Sequence, residues 1–173
     1  MKHKIALLWS WFVRTVTFFL PDTPLSMRFR GCLYGMAMKR CGKDFQVGSG
    51  AKLIGLENLT VGNHVYLAPN SVILSSFDVI IEDEVMVSYN TVVVDSNHTI
   101  LDGSYRFGYG RRASVRIGNG SWVGANCTIV AGVIIGKGVL IAANSAVING
   151  IPSGVIAGGV PAKLIKAGDI HEN

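Results

Sequence analysis

The sequence predicts an all-β solenoid, a coil of short parallel strands, and two observations support this prediction. A branched aliphatic residue recurs at every sixth position over most of the chain after residue 47, and glycine is abundant, at 21 of 173 residues. A period of six fits neither a half-buried strand, which repeats every two residues, nor a helix. It fits a short strand followed by a tight corner, and three such units close a triangular coil of about eighteen residues.

The aliphatic positions form three runs, and we expect their side chains to point to the axis and to stack from coil to coil. They are Val61, Leu67 and Ile73; Ile81, Val87 and Val93; and Ile117, Val123, Ile129, Ile135, Ile141 and Val147. The fourth position after each is small or β-branched and should fill space near a corner: Val65, Ser71, Val85, Thr91, Ser121, Cys127, Val133, Val139 and Ser145. The next residue after several aliphatics is glycine (Gly62, Gly118, Gly124 and Gly136), as expected where a Cβ atom would be crowded.

Composition excludes several classes of protein. A chain of 173 residues fits one domain with an appendage, not two full-sized domains. The apolar content of 49% allows a buried core, which argues against disorder. Glycine falls far short of one residue in three, which excludes collagen.

The net charge of +5 is unevenly distributed along the chain. Residues 1–52 carry nine basic and two acidic side chains, whereas the rest carries seven basic and nine acidic ones. The basic residues are not interleaved with aromatic ones, so an anionic membrane surface is a better match than nucleic acid. Three cysteines with no C-x-x-C pair indicate a reducing, cytoplasmic compartment.

Residues 1–46 are predicted to form an N-terminal helical segment. Ile5 to Leu20 is mostly apolar but too short for a spanning helix, and it contains Arg14. No signal-peptide cleavage site follows. Ser10, Arg14 and Thr17 fall on one narrow stripe of a helix, so we expect nearly all of the remaining surface to be buried. Two alternatives stay open for residues 1–20: an anchor on the inner face of a membrane, or packing on the domain or a neighbouring subunit.

The solenoid domain is predicted over residues 47–166, followed by a tail at 167–173. Its repeat is interrupted at 95–116 by DSNHTILDGSYRFGYGRRASVR. The spacing from Val93 to Ile117 is 24 residues instead of 18, which predicts that about six residues leave the coil. Long loops in a fold of tight corners usually carry function, and His98 opens this one.

Three segments identify a family resemblance. VGNHVYLAPNSVI, IGNGSWVGANCTIVAGVIIGKGVLIAANSAVI and IPSGVIAGGVPAKLI resemble the hexapeptide-repeat acyltransferases, in particular the maltose, galactoside and polysaccharide O-acetyltransferases. The resemblance covers roughly residues 27 to 166. It implies a left-handed parallel β-helix, a homotrimer with active sites between subunits, and acetyl transfer from acetyl-CoA to a hydroxyl group.

The same resemblance implies that His98 is the general base. Imidazole has a pKa near 6.5 and can take the proton of a sugar hydroxyl, which is a poor nucleophile at neutral pH. Backbone N–H groups at a corner could stabilise the oxyanion. Asn70 lies near where related enzymes contact the acceptor, and Asp95 could bind substrate, orient the His98 ring or be a solvated turn residue. Arg106, Arg111 and Arg112 could bind an anionic acceptor or keep the loop soluble.

The cofactor assignments also come from the resemblance. Trp122 matches the family's tryptophan, although it could equally serve packing, and Ala125 and Ala143 match positions that contact CoA through the main chain. Lys163, in the PAK motif, and Lys166 are predicted to meet the nucleotide phosphates. Ile148 and Asn149 replace a Thr-Lys pair common in the group, which removes one phosphate contact. No resident metal is predicted.

We therefore predict an O-acetyltransferase acting on a carbohydrate hydroxyl, with a bacterial surface polysaccharide favoured over a free sugar. A γ-type carbonic anhydrase needs three zinc-binding histidines, and only His64 and His98 lie in the repeats. Serine acetyltransferases carry a longer N-terminal domain, and acyl-ACP-dependent transferases have different C-terminal helices. A non-catalytic solenoid scaffold is the alternative from another class.

Overall fold

The computed structural model describes residues 2–167, which form a parallel β-helix preceded by two helices. Helix α1 spans Lys2–Thr17, α2 spans Pro24–Gly35, and a short 3-10 helix occupies Leu56–Asn58. No helix in this range is long and apolar enough to cross a membrane. Most of the tail predicted at 167–173 lies outside the described residues.

The strands stack into three sheets, one for each side of the triangle. Sheet 1 contains β1 (Arg40–Cys41), β4 (Leu59–Val61), β7 (Val79–Ile81), β12 (Val115–Ile117) and β15 (Ile134–Ile135). Sheet 2 contains β2 (Gln46–Val47), β5 (Tyr66–Leu67), β8 (Met86–Val87), β13 (Trp122–Val123), β16 (Leu140–Ile141), β18 (Val155–Gly159) and β19 (Ala162–Ala167). Sheet 3 contains β3 (Lys52–Ile54), β6 (Val72–Leu74), β9 (Val92–Val94), β14 (Thr128–Ile129) and β17 (Ala146–Val147). Strands of successive coils pair in parallel, whereas β19 folds back and pairs antiparallel with β18.

The axial stack matches the prediction. All twelve aliphatic residues of the six-residue series are fully buried, and so are the nine residues at the fourth position. The register aligns them from coil to coil, as in the column Val61, Ile81, Ile117 and Ile135 of sheet 1. The solenoid core is thus a column of aliphatic side chains along one axis.

The corners use two different kinds of residue. Gly62 and Gly118 follow aliphatic positions and lie very close to the next coil. A Cβ atom on Gly62 would lie 2.6 Å from Asp83 N, and one on Gly118 would lie 2.5 Å from the Gly136 carbonyl carbon. This crowding is the predicted reason for glycine. In most corners, a residue with a left-handed backbone (positive φ) comes two positions after the one that follows the aliphatic residue. This residue is an asparagine, a glycine, His64 (φ 55°) or Glu84 (φ 60°).

The interruption is larger than the spacing suggested. Strand β9 ends one coil in sheet 3 and β12 begins the next in sheet 1, so Val93 and Ile117 occupy consecutive repeat positions. Eighteen residues therefore leave the coil, not six. They carry a hairpin of β10 (Ser96–His98) and β11 (Gly110–Arg112). The first strand, β1, begins at Arg40, ahead of the boundary expected at residue 47.

Helix α1 packs on the solenoid through small and polar side chains. Its buried residues are Ala6, Ser10, Val13 and Thr17, so part of the polar stripe faces the solenoid and most of the apolar surface is exposed. Ser10 Oγ donates a hydrogen bond to the carbonyl oxygen of Leu53. Small and polar side chains allow close approach to the sheet, which larger apolar ones would prevent.

Helix α2 secures the link between the two helices. Thr23 caps it through Ser26 N, and Pro24 occupies its first turn. The buried Arg30 donates hydrogen bonds to Asp22 Oδ1 at 2.7 Å and to the carbonyl oxygens of Leu20 and Val47 at 2.5 and 2.9 Å. Asp22 in turn accepts from Ser49 N at 2.8 Å, so this cluster joins both helices to the coil.

Candidate active site

A groove of about 370 Å³ lies at the corner between sheets 2 and 3. Its lining residues are Ser88, Tyr89, Trp122, Gly124, Ala125, Leu140, Ile141 and Ala143. Three residues predicted to contact the cofactor, Trp122, Ala125 and Ala143, are therefore brought together on one surface. Ser88 and Tyr89 were not predicted, although they follow Val87 as Gly124 and Ala125 follow Val123, and aligning the coils would have found them.

The groove is rigid because its backbone is closely packed. Trp122 Nε1 donates to Ser88 Oγ at 2.8 Å, which fixes the exposed indole. Thr91 Oγ1 donates to the Gly124 carbonyl oxygen at 2.8 Å. A Cβ atom on Gly124 would lie 2.7 Å from Ala143 N. Small residues at these positions leave room in the groove for a long, flexible ligand.

The outward side chains of sheet 2 extend the groove toward the C-terminal hairpin. Trp122 pairs with Leu140, Leu140 with Ile156, and Ile156 with Lys166. Three strand spacings separate Trp122 from Lys166, or about 14 Å. Lys163 pairs with Gly158 on the same hairpin, and both lysines are exposed. An apolar strip thus leads from the indole to ammonium groups, as an extended ligand with a phosphorylated end would require.

His98 is the last residue of β10, at the end of the hairpin ladder away from the coil, and its ring is unobstructed. It pairs with Gly110 across the two strands and is exposed, and a Cβ atom on Gly110 would meet nothing within 4 Å. No hydrogen bond joins the imidazole to any other residue between 2 and 167. Its two nitrogens are therefore available to an incoming hydroxyl group.

Asp95 has a structural role that is not evident from the sequence. Its carboxylate is fully buried and accepts hydrogen bonds from Ser76 N at 2.8 Å, Phe77 N at 2.7 Å and Asp78 N at 2.8 Å. These backbone groups lie between Ile73 and Ile81, which are eight residues apart instead of six, so that two extra residues bulge from the coil. Asp95 caps that bulge, and this geometry leaves its carboxylate free neither for a substrate nor for the His98 ring.

Asn70 lies at the same corner as the groove, in an earlier coil. It has a left-handed backbone (φ 60°), and its N–H donates to the Ser49 carbonyl oxygen at 3.0 Å. Asn90, Asn126 and Asn144 occupy the equivalent corner position in later coils, also with positive φ. The corner geometry alone therefore accounts for an asparagine at position 70.

His98 and the groove lie at opposite ends of sheet 3. The groove follows sheet 2 and precedes β14 and β17, whereas the hairpin follows β9 and leads into sheet 1. One chain therefore holds the two halves of the predicted site on different corners of the triangle.

The loop arginines differ in their placement. Arg112 pairs with Ser96 and so shares the hairpin face of His98, because residues two apart on a strand point to the same side. Arg111 pairs with Asn97 on the other face. Arg106 lies 5.9 Å from the centre of the Phe107 ring.

Another depression, of about 570 Å³, contains none of the predicted site residues. Two of its charged groups form an ion pair, in which Arg116 Nη1 lies 2.6 Å from Glu82 Oε1, and Asp83 Oδ1 accepts a hydrogen bond from Asn63 N at 2.7 Å. Across residues 2–167, no three histidine, cysteine, aspartate or glutamate side chains cluster as metal ligands would.

Comparisons with known proteins identify the repeat. Residues 114–149, which include Trp122, Ala125 and Ala143, match the bacterial transferase hexapeptide family of six repeats. A Saccharomyces cerevisiae protein named as a candidate acetyltransferase is 37% identical over 109 residues, covering 63% of this chain and 56% of its own length. The galactoside O-acetyltransferase of Escherichia coli is 31% identical over 109 residues, covering 63% of this chain and 54% of its own. The chain thus spans about half the length of these curated relatives.

The fold agrees with solved structures. A hexapeptide-repeat acetyltransferase from Vibrio cholerae, complexed with acetyl coenzyme A, superposes with a TM-score of 0.83 at 21% identity, covering 95% of this chain and 87% of its own. This similarity confirms the predicted left-handed β-helix. Residues 114–149 thus carry hexapeptide repeats of the bacterial transferase type, in a chain with the fold of the hexapeptide-repeat acetyltransferases.

Proposed function

We propose that this protein is an acetyl-CoA-dependent O-acetyltransferase that acts on a carbohydrate hydroxyl group. The observation that supports this most directly is the groove formed by Trp122, Ala125 and Ala143 within the matched repeats, which continues to Lys166. A pantetheine arm suits the apolar strip, and the ammonium groups suit nucleotide phosphates. The activities named for the relatives support the same reaction.

In this proposal His98 acts as the general base. Its neutral imidazole takes the proton as the acceptor oxygen bonds to the thioester carbonyl carbon. The carbonyl oxygen gains negative charge, which N–H groups of the groove corner would stabilise. The carbon–sulfur bond then breaks, and the imidazolium returns its proton to the departing thiolate. The exposed and unpartnered ring is what this role requires.

We further propose a homotrimer with active sites between subunits. The support is geometric, since the groove and His98 lie on different corners of one chain. Around a threefold axis, the hairpin corner of one subunit would face the groove corner of the next. Each site would then take its base from one copy and its cofactor groove from another.

A saccharide of a bacterial surface polysaccharide is the proposed acceptor. Exposed aromatic rings in the insertion, Tyr105, Phe107 and Tyr109, could stack on apolar sugar faces, and Arg112 beside His98 could hold an anionic group. We place the enzyme in the cytoplasm, at the inner face of the membrane, where glycans are built on lipid carriers. A free small sugar is the alternative acceptor.

The experiment is acetyl-CoA turnover against a panel of free sugars and polysaccharide fragments, with His98→Ala beside the wild type. Loss of a positioned base should lower turnover by roughly 10²–10⁴-fold. His64→Asn is the matched control, because asparagine tolerates the left-handed corner and the His64 ring lies against Asp44, away from the groove. Unchanged turnover in His98→Ala would exclude the general-base role. No turnover by the wild type with any acceptor would favour the scaffold alternative.

A further inference from the structure

Helix α1 and the turn after it carry a continuous band of exposed apolar side chains. We call this band the α1 face. It comprises Ile5, Leu8, Trp11, Phe12, Val16, Phe18, Phe19 and Leu20. Within the helix these residues recur at spacings of three and four, so they share one side. Trp11 is 58% exposed and Phe19 89%. Scattered exposed apolar residues are common, but a contiguous band marks an interaction surface.

The α1 face is held outward by polar contacts on the other side of the helix. Ser10 Oγ donates to the Leu53 carbonyl oxygen, and Trp9 Nε1 donates to that of Leu33 at 2.7 Å. His3 Nδ1 lies 2.6 Å from Glu57 Oε1. Rolling the helix to bury the band would break all three contacts. The occupant of the α1 face must therefore come from outside residues 2–167.

The charged side chains of the segment that carries the α1 face are all basic. Residues 1–21 contain Lys2, Lys4 and Arg14 and no acidic side chain. None of these three takes part in an ion pair among residues 2–167. Arg14 also lines a depression of about 290 Å³ with Phe18 and Phe19, which places a guanidinium group beside apolar rings.

We propose that the α1 face docks on an anionic lipid surface. Its aromatic and aliphatic side chains would enter the boundary between headgroups and acyl chains, while Lys2, Lys4 and Arg14 meet lipid phosphates. A second copy is disfavoured as the occupant. If two α1 faces came together, the three cationic side chains of one copy would repel the same three of the other. The inference does not depend on acetyl transfer.

The first measurement is sedimentation of the full chain with phosphatidylcholine vesicles, with and without phosphatidylglycerol. We expect binding to the vesicles that contain phosphatidylglycerol, and we expect added salt to weaken it. Failure to bind these vesicles would overturn the proposal.

The double variant Trp11→Ser, Phe12→Ser tests the apolar band. It should bind the vesicles at least about tenfold more weakly, because two fewer aromatic side chains are transferred from water into the lipid. Phe77→Ser, at a ring 53% exposed elsewhere on the molecule, is the matched control and should bind like the wild type. Circular dichroism should show the same fold in all three proteins. Equal binding by the double variant would contradict docking through this face.

Lys4→Gln and Arg14→Gln test the charge separately. Each should weaken binding to phosphatidylglycerol vesicles about fivefold and leave binding to neutral vesicles unchanged.

Analytical ultracentrifugation of the Trp11, Phe12 double variant tests whether a neighbouring subunit occupies the α1 face instead. An assembly that falls apart with this variant would assign the α1 face to a neighbouring subunit and overturn the lipid proposal.

Discussion

At the scale of single residues, the groove depends on side chains that are small. Ala143 is exposed and lines the groove opposite Trp122, while Gly124 lets the adjacent backbone approach Ala143 N. The proposed binding of acetyl-CoA requires that these side chains occupy little space. Such sites are hard to recognise in a sequence, because alanine and glycine also occur for purely structural reasons, as Gly62 and Gly118 show.

Ala143→Leu should fill the groove without disturbing the core. Because residue 143 is exposed, we expect an unchanged melting temperature and a KM for acetyl-CoA raised about tenfold or more. Steady-state kinetics with varied acetyl-CoA measure this change. Thr128→Leu, on the exposed side of sheet 3, should keep the wild-type KM. A wild-type KM in Ala143→Leu would show that acetyl-CoA binds elsewhere.

Glu84 tests the corner geometry. It adopts a left-handed backbone with φ of 60°, a region that costs an ordinary residue about 1–2 kcal/mol. Glu84→Gly should therefore raise the free energy of unfolding by about 1 kcal/mol, as measured by urea denaturation. Glu84→Ala keeps the strain and should show no gain. Equal stability of the glycine and alanine variants would contradict this interpretation.

At the scale of elements, the coils follow directly from the six-residue period, but the insertion and α1 do not. A spacing of 24 residues equals either one coil plus six residues or one repeat plus eighteen, and only the pairing of β12 with β7 decides between them. Hydropathy predicted that the apolar surface of α1 would be covered, but it left open whether a membrane, the solenoid or a neighbouring subunit covers it. The polar contacts of Ser10 and Trp9 direct that surface away from the solenoid, and no periodicity encodes such contacts.

The Asp22–Arg30 pair links the helices to the solenoid in a pH-dependent way. Partial burial raises the pKa of Asp22, but hydrogen bonds from Ser49 and Arg30 outweigh it and hold the pKa below the usual value. A lowered folded-state pKa stabilises the protein above about pH 4 and loses that contribution as the pH falls. Asp22→Asn should therefore melt below the wild type at pH 7, with the difference narrowing under pH 4. A constant difference would contradict the linkage.

At the scale of the whole molecule, the proposed active site depends on assembly. The corners of the β-helix hold the groove and His98 apart, and we therefore propose that each site is completed by two copies. The resemblance to acetyltransferases implied this arrangement, and the period of six could not, because it describes one chain only. The basic, apolar α1 face adds a surface that lies outside this catalytic scheme.

Complementation between two inactive variants tests directly whether each active site is shared between subunits. His98→Ala and Ala143→Trp are unfolded and refolded together, and acetyl transfer is compared with that of each variant refolded alone. If sites form between subunits, some interfaces join an intact histidine to an intact groove, and an equal mixture should recover about a quarter of the wild-type sites. Activity no higher than that of the separate variants would contradict a site shared between subunits.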